Sequence, residues 1–291
     1  MEPNYPARSA KSAAEGGNQV TKIMEIMSKD QEKISSNVVY KYYSPTEYNQ
    51  DALINQYFWF SKRSILNDPF DLNLQILNSF PKFKDLLENH GYDLEIYNET
   101  LNNFAICCFT KRPNNQHFWS LYAGNFQGWC LEFDQDNLLN PTDGIPNNFH
   151  DVIYLDEVPD LDNQETHLLI KKEENYAHTE PIRSLLSYEI GREHLFTYLL
   201  RIKNRDIWSA EEECRLILGN IYLMTHKQHS NANGYRIPWK ENALKRIIIG
   251  YRMPEYLRKI ILMFAKENNV PVSVATPDLQ DRQFTIKIES I

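Results

Sequence analysis

Phe104-Ala105-Ile106-Cys107-Cys108-Phe109 is a continuous apolar run of strand length, and no other segment constrains the fold as much. Six apolar residues in a row leave no polar face for solvent, so such a strand has to be covered on both sides. A central place in a sheet follows, with Gly128-Trp129-Cys130-Leu131-Glu132-Phe133 as the expected neighbouring strand. A chain of 291 residues, 42% hydrophobic and 12% aromatic, has the material for that core.

Around this strand the other elements can be placed by pattern. Residues 1–36 are polar and small, bury too little to offset ordering entropy, and are expected as a disordered tail; residues 37–291 are expected as a single domain. Val38 to Tyr43 reads as a strand, with Ser44 and Glu47 at capping-box spacing for a helix after it. Tyr57 to Ser61 is a second strand, and Asn67-Asp68-Pro69-Phe70-Asp71 has the chemistry of a turn. Residues 72–102 read as mostly helical, and His117 to Tyr122 as one to two helical turns. Asp151 to Leu155 is a strand, and residues 166–202 carry apolar positions at helical spacing, interrupted by Pro181.

Strands then return at Glu211 to Gly219 and Leu244 to Gly250, followed by an amphipathic helix from Pro254 to Lys266. Val270 to Val274 is a strand start or a sheet edge, because Pro271 cannot donate to a ladder, and Phe284 to Ile288 is the last strand. Strands and helices do not alternate regularly, so the class is α+β with mixed or antiparallel sheets.

A net charge of -8 argues against a protein that coats nucleic acid by bulk attraction, while a local basic groove stays compatible with it. Cys107, Cys108, Cys130 and Cys214 form no C-x-x-C pair and read as buried thiols of a reducing compartment. With no run of roughly 18 apolar residues and no apolar signal-peptide core, a cytoplasmic location without membrane contact is expected. The closest histidines, His226 and His229, lie in a polar stretch from Thr225 to Gly234, which reads as solvent-exposed, and no metal site is expected. Dinucleotide, P-loop, zinc-protease and nucleophile-elbow motifs are absent.

The segment Trp208-Ser209-Ala210-Glu211-Glu212-Glu213-Cys214-Arg215 is the leading chemical candidate. In an extended strand residues two apart share a face, which would line up Glu211, Glu213 and Arg215 at about 6.5–7 Å intervals, with Glu212 and Cys214 opposite. Two such carboxylates repel, and are tolerated in solvent, beside a cation, or in a cleft where one does chemistry. A solvated strand start with one ion pair has the same pattern. Trp119-Ser120-Leu121-Tyr122, followed by Gly128-Trp129, fits either a wall for a flat ring or plain core.

Four motifs occur in order: Tyr40-Lys41-Tyr42; Phe60-Ser61 with Asn67-Asp68-Pro69-Phe70-Asp71; Trp119-x-x-Tyr122 with Gly128-x-Cys130-x-x-Phe133; and Trp208-x-x-Glu211-x-Glu213-x-Arg215. Together, over residues 38–250, they resemble an uncharacterised bacterial family of unknown function found in phage-defence and toxin contexts. The layout also resembles the ADP-ribosyltransferase superfamily. There an early strand carries His or Arg, a middle strand Ser or an aromatic, and a late strand Glu, often as E-x-E. That resemblance implies a split sheet and an NAD-dependent transferase acting as a toxin or antiviral defence effector, with NAD as substrate.

It assigns catalysis to Glu213, which would face the ribose, and to Glu211, which would orient or deprotonate an acceptor. NAD binding would fall to Lys41 or Tyr42 in the early position, where neither His nor Arg stands, and to Ser61 in the middle one. Asn67 and Asp68 would contact the substrate, Trp119 or Tyr122 would stack on a ring, and Arg215 or Lys41 would hold the pyrophosphate. The implied partners are a macromolecular acceptor, nucleic acid or protein, and a restraining antitoxin or regulatory protein. Two other readings stand beside it. One is a Mg²⁺-dependent nuclease using Asp68, Glu211 and Glu213, disfavoured because arginine replaces the lysine of E-x-K sites. The other is a non-catalytic interaction or sensor module with a tyrosine-rich surface.

Overall fold

The structure, a computed structural model, describes residues 37–71, 73–89, 94–102, 104–139, 149–158, 160–163, 200–219, 230–283 and 285–291. The expected tail, the helical pattern of residues 166–199, and His226 and His229 lie outside the described residues. Val38 to Ile291 make up one unit.

In chain order the elements begin with β1 (Val38–Tyr43), α1 (Glu47–Ile54), β2 (Tyr57–Lys62), α2 (Pro81–Asn89), α3 (Leu94–Leu101) and β3 (Ala105–Thr110). Then come α4 (Gln116–Leu121), β4 (Trp129–Asp134), β5 (Phe149–Asp151), β6 (Ile153–Leu155), β7 (Ile202–Asn204), α5 (Arg205–Trp208) and β8 (Glu213–Leu218). The chain closes with β9 (Ser230–Asn231), β10 (Gly234–Pro238), β11 (Leu244–Gly250), α6 (Glu255–Glu267), β12 (Val272–Pro277) and β13 (Ile286–Ser290). The class is α+β: a large mixed sheet, mostly antiparallel with one parallel pair (β11 with β12), plus a small parallel pair, β6 with β7.

The apolar run forms β3 at the middle of the large sheet, and its two edges explain the topology. Along one edge β8 pairs at every position, from Ala105 opposite Leu218 to Thr110 opposite Glu213. The other edge is shared, with β1 at Thr110 and β2 at Ala105 and Ile106. No edge is left for β4, so the expected β3–β4 neighbourhood is corrected: β1 lies between them, paired with β4 at six positions.

Three other expectations shift for local reasons. Thr46, not Ser44, caps α1: Pro45 separates them, and Thr46 Oγ1 accepts from Asn49 N while Ser44 takes the Asn49 side-chain amide. Asp151 to Leu155 is two strands, because Val152 is buried between ladders and its N–H bonds Glu213 O. Ile202 belongs to strand β7, paired with Ile153, and not to a helix. β12 is flanked by β11 and β13, with Pro271 just ahead of it, so it is a strand start and not an edge. No helix among the described residues is long and apolar enough to cross a membrane.

Period-two alternation sorts the side chains of the sheet between its faces. Ala105, Cys107 and Phe109 of β3, with Cys214 and Leu216 of β8, join the largest core, covered by Leu257, Ile261 and Phe264 of α6. The opposite face is divided. Ile106 packs with Leu77, Phe83 and Leu101 from the α2–α3 side, whereas Tyr40, Tyr42 and Cys130 pack with Phe118 and Trp119 of α4. The seam between these two smaller cores is where polar groups can enter the sheet.

Gly128 ties α4 to this frame. After α4, Gly124, Asn125 and Phe126 all take left-handed backbone angles (φ 54, 56 and 65°), a turn that brings Gly128 against β1. A Cβ on Gly128 would stand 1.9 Å from Tyr43 O. Gly128→Ala should therefore destabilise the protein by about 1–3 kcal/mol, seen as a lower urea midpoint. Gly219→Ala, whose Cβ would meet the Phe104 ring at 3.5 Å as its nearest contact among the described residues, should stay within about 0.5 kcal/mol.

Candidate active site

The seam holds five buried ionisable side chains brought from four places in the sequence. On β8 the alternation directs Glu213 and Arg215 to the same face, opposite Cys214. Arg215 is 0% exposed, so every guanidinium N–H needs a partner. Each has one: Nε donates to Glu213 Oε1 (2.7 Å), Nη1 to Asp71 Oδ1 (2.8 Å) and Leu200 O (2.8 Å), and Nη2 to Asp71 Oδ2 (3.0 Å) and Glu213 Oε2 (3.1 Å). Those five bonds use the five donors that an arginine has.

Asp71 arrives by the turn that the sequence marks. Asp68 Oδ1 accepts from Phe70 N (2.9 Å) and Asp71 N donates to Asp68 O (3.1 Å), which closes the turn and buries both acids. Lys203 comes from the middle of β7, where Ile202, Lys203 and Asn204 alternate and Lys203 is the buried one. Asn204 then caps α5 through Ile207 N (3.1 Å), which swings the Trp208 ring over Lys203 Nζ at 4.4 Å. Lys203 Nζ lies 2.9 Å from Glu213 Oε2, 3.3 Å from Glu211 Oε2 and 3.8 Å from Asp71 Oδ2.

Glu211 is placed differently from the sequence expectation. The strand begins at Glu213; Ser209–Glu211 is a 3-10 turn and Glu212 is left-handed (φ 44°, ψ 49°), so the shared-face geometry does not extend to Glu211. Such a backbone is costly for a residue with a side chain. It is held by Thr110 Oγ1 donating to Glu211 O (2.8 Å), Asn115 Nδ2 donating to Ala210 O (2.5 Å), and a 2.6 Å pair between Arg112 and Glu212. The Glu211 carboxylate consequently meets Lys203 and not Arg215. On its other oxygen it accepts from the Tyr122 hydroxyl at 2.6 Å, and that hydroxyl accepts from Asn67 Nδ2 at 2.9 Å.

Three carboxylates against two cations leave one negative charge in excess when all are ionised, and the two glutamates respond in opposite directions. Burial pulls the Glu213 carboxyl up, but Arg215 and Lys203 more than reverse this and bring it to about 2. For Glu211, burial outweighs the opposing Lys203 charge and Tyr122 hydrogen bond, and its carboxyl rises above the usual range. Burial works against the Lys203 ammonium, yet Glu213, Asp71 and Glu211 keep it charged and raise its pKa.

Residues 118–216 match a family described as a protein of unknown function (DUF2971). That DUF2971 segment contains Tyr122, Lys203, Glu211, Glu213 and Arg215, while Asn67 and Asp71 lie ahead of it. No curated protein and no solved structure matches the chain.

Of the residues singled out from the sequence, Asn67, Tyr122, Glu211, Glu213 and Arg215 join one chain of contacts with Lys203 and Asp71. Asp68 is buried beside it as the closing acid of the turn. Four others sit elsewhere. Lys41 Nζ donates to Cys108 O (3.0 Å) and lies over the Phe109 ring; the Tyr42 hydroxyl donates to Arg112 O (3.0 Å). Ser61 is in β2 opposite Ile106 and Gly234. Trp119 is wholly buried, stacked on Phe126, with Nε1 donating to Pro113 O. Sequence reasoning missed Lys203, Asp71 and the Trp208 ring as partners of the acids. The available signals were the strand-like alternation around Lys203 and the capping Asn204 after it. All four cysteines are free thiols, Cys107, Cys130 and Cys214 buried and Cys108 half-buried.

Removing Arg215 would strand two buried carboxylates, so Arg215→Met should cost about 3–5 kcal/mol in urea unfolding. The acids also set the pH dependence. Glu213, depressed on folding, contributes stability that is present above its ordinary value of 4.5 and is lost as pH falls toward about 2. Glu211, raised on folding, works oppositely: its contribution is present below 4.5 and disappears as pH rises through its higher folded value. Glu211→Gln should accordingly gain on the wild type as pH rises, and a pH-independent difference would contradict the assignment.

Proposed function

We propose that this protein is an NAD-dependent ADP-ribosyltransferase, a toxin or defence effector that modifies a macromolecular acceptor, with the Glu211–Glu213 pair as its centre. One observation carries this reading: two carboxyls separated by a single residue are driven apart, Glu213 down to about 2 and Glu211 up. Divergent pairs of this kind divide the labour of acid–base and electrostatic catalysis.

The chemistry follows from those two environments. As the bond between nicotinamide and the ribose C1′ breaks, its electron pair stays on the pyridine nitrogen and positive charge develops on the sugar. A cluster with excess negative charge, pre-aligned by Arg215 and Lys203, stabilises that charge more than it stabilises the ground state. The acceptor heteroatom then bonds to C1′ and its proton passes to Glu211, whose raised pKa makes it the better base. Nicotinamide, the ADP-ribosylated acceptor and a protonated Glu211 balance the reaction.

Arg215 has no donor left for a pyrophosphate, so its part is to fix Glu213. The half-buried Trp208 and the exposed Phe70, each next to a cluster residue, supply faces on which a ring of the dinucleotide can stack. A metal-dependent nuclease finds less support, because two of its three ligand acids are engaged: Arg215 and Lys203 hold the Glu213 oxygens, and Lys203 and Tyr122 those of Glu211.

NAD should raise the melting temperature of the wild-type protein, and nicotinamide should be released when lysate nucleic acid or protein is supplied as acceptor. Glu211→Gln, chosen because it keeps the buried pairs of Arg215 with Glu213 and Asp71 and of Lys203 with Glu213, should reduce release by about 10²-fold or more. Neither a melting shift nor nicotinamide release, from protein that melts cooperatively, would remove the transferase reading.

A further inference from the structure

The geometry points to Tyr122 as a positioning residue for Glu211: its hydroxyl, aimed by the Asn67 amide, fixes the direction and the protonation of the Glu211 carboxylate. This rests on the role of Glu211 proposed above and assigns Tyr122 a task other than ring stacking.

A phenol has one proton to donate, and its oxygen also accepts. Asn67 Nδ2 donates to the Tyr122 oxygen at 2.9 Å, so the phenolic proton has to point elsewhere, and Glu211 Oε1 at 2.6 Å is its acceptor. A carboxylate that accepts this bond, and a second from Lys203 at 3.3 Å on Oε2, is pinned at both oxygens in its ionised form. Turning the Asn67 amide over would present its carbonyl to Tyr122. The phenolic proton would then go to Asn67, and Glu211 would need a proton of its own to keep the contact. The rotamer of an exposed amide and the charge on a buried acid are thereby linked.

The surroundings support a directional role over simple packing. The Tyr122 ring stacks at a tilt on Phe118, with centroids 4.7 Å apart, and Tyr122 N donates to Phe118 O at the end of α4, so the phenol is held from below. Other charged or titratable groups around Glu211 are Lys203 on β7, Glu213 and Arg215 on β8, Tyr154 on β6, whose hydroxyl accepts from Glu213 N, and Asp71 on the loop after β2. Among the described residues, Tyr122 and Lys203 are the donors to the Glu211 carboxylate, and Tyr122 can lose its hydroxyl while its ring contact survives.

Tyr122→Phe tests the proposal without needing any reaction. The titration of the Glu211 side-chain carbon, assigned by its disappearance in Glu211→Gln, is followed by carbon-detected NMR in the substrate-free protein. Loss of the donated hydrogen bond should raise the Glu211 midpoint by about one pH unit, a tenfold change in proton affinity. Asn67→Leu, on the exposed side and clear of the core, should produce a smaller rise in the same direction. Unmoved midpoints in both variants would overturn the assignment, whatever the fate of the transferase reading. If that reading holds, the acid limb of the pH profile for nicotinamide release should move up with the NMR midpoint in Tyr122→Phe. A uniform loss of rate at every pH would mark the residue as merely structural and overturn the proposal.

Discussion

The wholly buried guanidinium of Arg215 is the constraint from which the site is built. A charge taken out of water has to be matched by fixed charges and by acceptors for every N–H, or the fold that contains it is unstable. Glu213 can answer from the same strand face because it is two residues away. Asp71 has to be brought 144 residues along the chain, and the Asx turn at Asp68 is what aims it. Leu200 O takes the last donor, which ties the stretch leading into β7 to β8. A single side chain thus fixes the mutual position of the loop after β2, β7 and β8.

Two bidentate acids on one arginine over-supply negative charge, and Lys203 restores the local balance. Its ammonium lies against the Trp208 ring and reaches three carboxylates, so it behaves as a hub and not as half of an isolated pair. Glu211 is the remaining acid. Arg215 is saturated and does not reach Glu211, Lys203 is shared, and burial dominates the proton affinity of Glu211. Its sensitivity to one more hydrogen bond, from Tyr122, follows from that burial. Tyr122 packs against the α4 core, and from that side its hydroxyl reaches the Glu211 carboxylate.

The parts of this arrangement that were legible in the sequence are those governed by local rules. The central β3 strand, the Asn67–Asp71 turn, the amphipathic α6 and the shared face of Glu213 and Arg215 each follow from periodicity or turn chemistry over a few residues. What was not legible depends on pairing across long separations. The place of β1 between β3 and β4 is decided by which edges of β3 are filled, and the edge-filling strand β8 comes more than a hundred residues later. Lys203 was hidden for a related reason: Ile202 fits the helical spacing upstream of it, and only pairing with Ile153 shows that the period there is two. Asp71 was visible as part of a turn, but nothing local says that its carboxylate leaves the turn to meet an arginine.

The left-handed Glu212 explains why the two glutamates differ at all. Had the strand run unbroken from Glu211, both acids would stand on one face at about 6.5–7 Å, sharing Arg215 and titrating under similar fields. The kink at Glu212 lifts Glu211 out of that row and turns it toward α4, while Glu213 stays locked in the guanidinium fork. Such a backbone persists only where surrounding bonds enforce it, and Thr110, Asn115 and Arg112 all serve the same short turn. Strain at this one residue therefore converts a repeated carboxylate into two chemically distinct ones, which is the condition any acid–base use of the pair requires.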